Sequence, residues 1–227
     1  MKLMQNVMEF DLVEKNGTRS KRTVDVKALS LAVSLTPPKT RRKSRFLLTS
    51  EDVIEVEEAR TCGEAEYVAI MDKGDILMTA GSDHLDLTLS AKSFERVGMA
   101  RNPAKEKQLC PGVVAKELWR YSDVKDHWSA LRLKSSVTIE GRRTLFQDFP
   151  ISQIVDLETH LSANPKLREG GTVLFSGSAN QLPSAPPNLY NVDLAEGGIF
   201  PRDFHFELMD PVLGRTISHG YSVQVLE

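Results

Sequence analysis

The chain has 227 residues, 41% hydrophobic and 26% charged, a globular composition that argues against disorder, collagen-like repeats and coiled coil. Lysine and arginine number 29 against 31 aspartates and glutamates, a formal net charge of −2, so charge demands neither nucleic acid nor a membrane, and a small-molecule or protein partner is expected. Two cysteines, Cys62 and Cys110, exclude a disulfide framework, and Glu9 and Asp11 interrupt any signal-peptide-like apolar core, so a cytoplasmic protein is expected.

Short runs rich in Val, Ile, Leu and Phe, punctuated by Gly and Pro, predict a mainly β fold with a few helices, an α+β protein. A strand is expected at Asn6–Val13 and a helix at Val26–Ser34. Thr36–Arg45 (TPPKTRRKSR) then carries Lys39, Arg41, Arg42, Lys43 and Arg45. It reads as a solvated basic loop, with an anion contact as the rival reading, and divides a small N-terminal segment (1–49) from a β-rich body (50–227). Further strands are expected at Glu66–Met71, Ile76–Ala80, Leu131–Glu140, Thr172–Ser176, Phe204–Leu208 and Tyr221–Leu226. Helices are expected at Ser122–Leu131 and Ile151–Ala163, where Ile151, Ile154, Val155, Leu157 and Leu161 fall on one face.

The densest chemistry lies in Gly63–Asp86 (GEAEYVAIMDKGDILMTAGSDHLD). Two apolar runs flank Asp72-Lys73-Gly74-Asp75, which predicts an antiparallel hairpin. If Met71 pairs with Ile76, then Glu66 faces Gly81 and Glu64 faces Asp83. Strand alternation puts all three carboxylates on one face, with Cβ atoms about 5 Å apart for the directly opposed pair. Like charges that close need a cation, a shared proton or water, so the patch is either a solvated hairpin end or a hard-cation site. A single bulge would turn Asp83 away. Glycine opposite Glu66 is expected to leave open space.

Glu64-Ala65-Glu66, an apolar strand and then Ser82-Asp83 resemble the Glu-x-Glu and Asn-Asp metal motifs of fumarylacetoacetate hydrolase-like proteins. Later landmarks keep the same order: Lys105 to Pro111 (KEKQLCP), Ile139-Glu140-Gly141 followed by Gln147, and Gly171 to Ser178 (GTVLFSGS), with Gly177-Ser178-Ala179 where that group has Gly-Thr-Pro. The resemblance spans residues 50–227 and lies closest to a little-characterised branch of the superfamily. It implies a compact mixed-β fold, a homodimer, and magnesium or manganese binding a small 2-oxo acid or β-diketone. By position it implies metal ligands at Glu64, Glu66 and Asp83, an active-site lysine at Lys107 (Lys105 in a shifted alignment), and pocket residues at Gln147, Gly177 and Ser178. The water-activating His-x-x-Glu pair of the hydrolases has no counterpart, since no histidine precedes His84 and Ala28–Leu35 carries neither partner.

His84 adjoins Asp83 and is a catalytic candidate, although ideal alternation points it to the other face, towards a packing role. His127 reads as surface and Cys110 as a buried small hydrophobe. Ser176–Asn191 is expected to form a pocket rim. Three functions follow: a metal-dependent hydrolase or lyase acting through an enolate, a metal-free lyase, isomerase or cyclase on the same scaffold, and a noncatalytic binding protein.

Overall fold

A computed structural model describes residues 5–33, 38–88, 107–179, 181–182 and 200–226. Strands β1 (Val7–Val13) and β2 (Arg19–Asp25) form a hairpin, as do β3 (Ala28–Val33) and β4 (Lys39–Lys43). A 3-10 turn at Arg45–Leu47 leads to β5 (Leu48–Thr49), β6 (Val53–Val56) and β7 (Thr61–Cys62). The central hairpin is β8 (Ala65–Asp72) with β9 (Asp75–Asp83), followed by β10 (Leu85–Asp86). Next described are β11 (Gly112–Val114), β12 (Glu117–Arg120), the short helix α1 (Tyr121–Val124), and the hairpin of β13 (Arg132–Ile139) and β14 (Arg142–Pro150). Helix α2 (Leu157–Ala163) precedes β15 (Thr172–Phe175), and β16 (Asp203–Asp210) with β17 (Arg215–Val225) ends the fold.

Strands β2-β1-β12-β9-β8-β15-β3-β4 make the main sheet in that order, with β11 and β5 attached beside β9, and a five-stranded sheet runs β14-β13-β16-β17-β6. Every residue of β8 is buried, which explains its unbroken apolar run. Tyr67, Ala69 and Met71 enter a core shared with Leu133, Phe204, Phe206 and Tyr221 of the five-stranded sheet. Val68 and Ile70 turn the other way, onto Leu29, Leu31, Leu48, Leu77, Val173 and Phe175. Only residues 44–47 join β4, at one edge, to β5, beside β11. So short a connection rolls the main sheet round this second core.

The mainly β reading holds, while several local expectations change. Val26–Ser34 is not a helix: Ala28–Val33 is β3, parallel to β15 and antiparallel to β4, with Leu29 and Leu31 buried at alternate positions. Tertiary pairing overrides the helical leaning of its Ala and Leu residues. The basic tract is not a loop, since Lys39–Lys43 is β4. Residues 1–49 do not stand apart, because β1, β3 and β5 pair with β12, β15 and β11. Ser122–Leu131 breaks into α1 and a 3-10 segment kinked at His127, and Ile151–Ala163 into a 3-10 turn and α2. The second break falls where the Asp156 side chain accepts from Thr159 N at 2.9 Å and caps a new helix. Among the described residues no helix is long and apolar enough to cross a membrane.

Candidate active site

The β8–β9 turn is tight because Lys73 (φ 50°) and Gly74 (φ 86°) both adopt the left-handed conformation that a two-residue hairpin connection requires. From it the ladder runs unbroken: Met71 faces Ile76, Glu66 faces Gly81, and Ala65 faces Ser82. One step further, Asp83 N donates to Glu64 O at 3.2 Å. Without a bulge, Glu64, Glu66 and Asp83 share the face that carries Val68 and Ile70, at one end of the rolled core.

Their oxygens converge on one point, the Nζ of Lys107, at 2.8 Å from Glu64 Oε2, 3.9 Å from Glu66 Oε1 and 2.5 Å from Asp83 Oδ2. Lys107 is held there from behind: Gln108 donates to Arg42 O at 2.8 Å and accepts from Ser44 N at 3.2 Å. A second cation closes the cluster. Lys43, its side chain 0% exposed, donates from Nζ to Asp83 Oδ1 at 2.8 Å. Sequence reasoning missed Lys43 because its burial depends on a partner forty positions away; the only local signal was the alternation of β4 into the apolar Phe46-Leu47-Leu48.

Burial pushes the Glu66 carboxyl up to about 8, opposed by Lys107 and reinforced by Asp83 and Glu64. Burial acts on Asp83 in the same sense, but Lys107 and Lys43 together outweigh it and hold Asp83 below the usual carboxylate range. Burial alone would lower Lys107, yet Asp83, Glu64 and Glu66 keep its ammonium well above its ordinary value. The cluster is therefore an ionised aspartate and a firmly protonated lysine beside a glutamate that retains its proton readily.

The space opposite Glu66 is filled rather than open. A Cβ on Gly81 would stand 2.5 Å from Val68 Cγ2 and 2.9 Å from Phe175 Cε1, and one on Gly112 would stand 3.2 Å from Phe175 Cζ. The two glycines let the Phe175 ring lie beneath the carboxylates as a floor.

Gln147, Gly177 and Ser178 surround the cluster as supports. Gln147 is fully buried and its amide is fully used: Oε1 accepts from Ala65 N (3.0 Å) and Ser135 Oγ (2.8 Å), and Nε2 donates to Ser178 Oγ (2.9 Å) and Ala179 O (2.8 Å). A substrate-binding role for Gln147 would require breaking that set. Ser178 Oγ donates to Ala65 O at 2.7 Å, and Gly177 N donates to Glu66 Oε2 at 2.7 Å. Gly177 thus grips a carboxylate with its backbone, at φ 78°, where a glycine is favoured.

His84 does not join the carboxylates. It lies on the opposite face, 1% exposed, with Nδ1 2.8 Å from Tyr221 Oη, which is itself 2.8 Å from Ser82 Oγ. Burial, with Lys43 nearby, holds its imidazole down at about 3, so it is neutral. Cys110 is buried and its thiol is pushed up to about 12, which fits an inert residue. His127 bonds Asp210 at 3.0 Å, far along the chain from the cluster. Lys105 and most of the Ser176–Asn191 tract lie outside the described residues.

Among the described residues no group of three His, Cys, Asp or Glu side chains stands ready to hold a metal ion, and the Lys107 ammonium takes the point between the carboxylates. The donor set nevertheless fits a hard divalent cation: it is all carboxylate oxygen. Charge fits as well. With the Glu66 proton released and Lys107 displaced, three carboxylates against Lys43 would leave a deficit of two positive charges, which one divalent ion would balance. The Lys107 side chain is 17% exposed.

None of the curated proteins matches the chain. Solved structures of similar fold include Cg1458, with 15% identity, a TM-score of 0.57, and coverage of 91% of this chain and 80% of that one. A second is 2-keto-3-deoxyarabinonate dehydratase, with 14% identity, a TM-score of 0.59, and coverage of 93% and 84%. Cg1458 with inhibitor gives 13% identity and a TM-score of 0.59, with coverage of 97% and 89%. At such identities the likeness is one of fold, and that fold is fumarylacetoacetate hydrolase-like. Residues 18–221 match the family described as "Protein of unknown function (DUF2848)", and the chain belongs to that family.

Proposed function

We propose that the chain is an enzyme acting on a small 2-oxo acid or β-diketone-like compound, with a magnesium or manganese ion held by Glu64, Glu66 and Asp83. The convergence of these three carboxylates from an unbroken ladder onto one buried point carries this reading. A divalent ion bound there supplies Lewis acidity for charge that develops on substrate oxygen.

The chain's own groups prepare that point. Lys43 fixes Asp83 Oδ1 and leaves Oδ2 facing the centre, and Gly177 N fixes Glu66 Oε2 and leaves Oε1. Phe175 fills the space at Gly81 and Gly112, the residues paired with Glu66 and Asp83. Lys107, once displaced from the carboxylates, offers a protonated ammonium to a substrate carboxylate or carbonyl. There it would act as a compact point charge. With no histidine before His84, water activation by a His-x-x-Glu pair lacks its residues, which favours lyase or dehydratase-type chemistry over hydrolysis. A dehydratase among proteins of the same fold supports that preference.

Manganese titration followed by electron paramagnetic resonance tests the reading. The wild type should bind one ion, Glu66→Gln should weaken binding at least about tenfold, and chelator should abolish turnover. Failure to bind manganese at millimolar concentration sinks it. A second reading, a metal-free lyase or isomerase in which Lys107 is itself the electrophile, is favoured by the ammonium in the carboxylate centre. Turnover unchanged by chelator and lost in Lys107→Met would select it.

A further inference from the structure

The basic strand β4 divides its side chains between two environments. Thr40 Oγ1 accepts from Asn164 Nδ2 at 3.0 Å, and Arg42, two residues further along β4, shares the face of Thr40. Both therefore face the segment that follows α2. Alternation sends Lys39, Arg41 and Lys43 the other way. Lys43 confirms the direction, since it runs into the rolled core to reach Asp83.

Register gives the level of each. Lys43 lies opposite Leu29, Arg41 opposite Leu31 and Lys39 opposite Val33. Leu31 in turn pairs with Phe175, and Phe175 with Val68, two residues from Glu66. Passing from Lys43 to Lys39 therefore follows the sheet from the core towards the carboxylate end of β8. The Arg41 backbone lies about 7 Å along β4 from that of Lys43, at two residues of strand rise. Arg41 and Lys39 are both exposed, and neither makes an ion pair with a described residue.

We propose that Arg41, supported by Lys39, is a specificity-determining residue that recognises a second anionic group on the substrate, a carboxylate or phosphate distal to the oxo end. This rests on the reading of the carboxylate cluster as the site that holds the oxo end. A guanidinium suits the role because its planar fork meets a carboxylate or phosphate through two parallel hydrogen bonds. The competing account is that β4, an edge strand of the main sheet, carries charge only to discourage edge pairing. That account asks for no particular face and predicts no ligand preference.

Calorimetric titration of the manganese-loaded protein separates the two. The probes are 2-oxoglutarate (distal carboxylate), 3-phosphohydroxypyruvate (distal phosphate) and 2-oxovalerate (the five-carbon chain with a neutral end). The wild type should bind one of the anionic-ended compounds at least about tenfold more tightly than 2-oxovalerate, an effect in the range of a charge-assisted pair. The preferred probe identifies the anion. Arg41→Ala should erase the preference and leave 2-oxovalerate affinity unchanged, Arg41→Lys should keep part of it, and Lys39→Ala should reduce it less. Equal binding of all three compounds, or a preference unchanged in Arg41→Ala, overturns the role of Arg41 and leaves the oxo-acid reading standing. Binding of none of them overturns both.

Discussion

The two ends of the β8–β9 hairpin carry the same charges in different surroundings. At the turn, Asp72, Asp75 and Glu14 meet two arginines: Arg22 reaches Asp72 at 2.6 Å and Asp75 at 3.3 Å, and Arg120 reaches Asp75 at 3.0 Å and Glu14 at 3.1 Å. At the open end, Glu64, Glu66 and Asp83 meet two lysines. Three acids face two cations in each case. Asp75 is 39% exposed and Arg120 32%, whereas Glu66 and Asp83 are 1% exposed and Lys43 is sealed. Water screens the first cluster and leaves a fastening for the turn. Burial makes the second responsive, with Glu66 pushed up to about 8 and Asp83 held down. The cations differ to match: arginine forks lock geometry, while a lysine ammonium is a point charge that another cation can replace.

The comparison breaks most sharply if one carboxylate is removed from each end. Asp83→Ala strands Lys43 in the core and should cost ~3–5 kcal/mol in urea unfolding, while Asp75→Ala should cost about 1 kcal/mol or less. Equal losses would mean that burial does not distinguish the clusters. Glycines on the same hairpin sharpen it next. Gly81→Ala should cost ~1–3 kcal/mol because its Cβ meets Val68 and Phe175. Gly74→Ala, with open space but φ +86°, should cost ~1–2 kcal/mol from backbone strain alone. Crystal structures of both variants would show Phe175 displaced only in the first. The smallest effect is on salt. The Arg120–Asp75 coupling in a double-mutant cycle should be ~0.2–1 kcal/mol and fade in about 1 M salt, whereas the Lys43–Asp83 coupling should persist.

Much of the carboxylate site is legible in the sequence because a hairpin is a local object. A two-residue turn at Lys73-Gly74 settles the register, and the register sets Glu64, Glu66 and Asp83 on one face and His84 on the other. The β13–β14 hairpin follows from Glu140-Gly141 for the same reason. Ala28–Val33 is misread because Ala, Leu and Ser in a short run satisfy helix and strand alike, and only β15 and β4 on either side decide between them. The basic tract is misread because charge density resembles a loop until each side chain has an assigned face.

The sequence by itself determined a mainly β chain, the hairpin register and three acids on one strand face, since these depend on alternation and turn chemistry within twenty-odd residues. Only the tertiary structure decided that this face is buried, that Lys43 and Lys107 neutralise it, that Gly81 and Gly112 make room for a Phe175 floor, and that Gln147 is a support. The physical reason is that desolvation and charge pairing depend on which distant strands the rolled sheet brings together, and no local pattern encodes those distances.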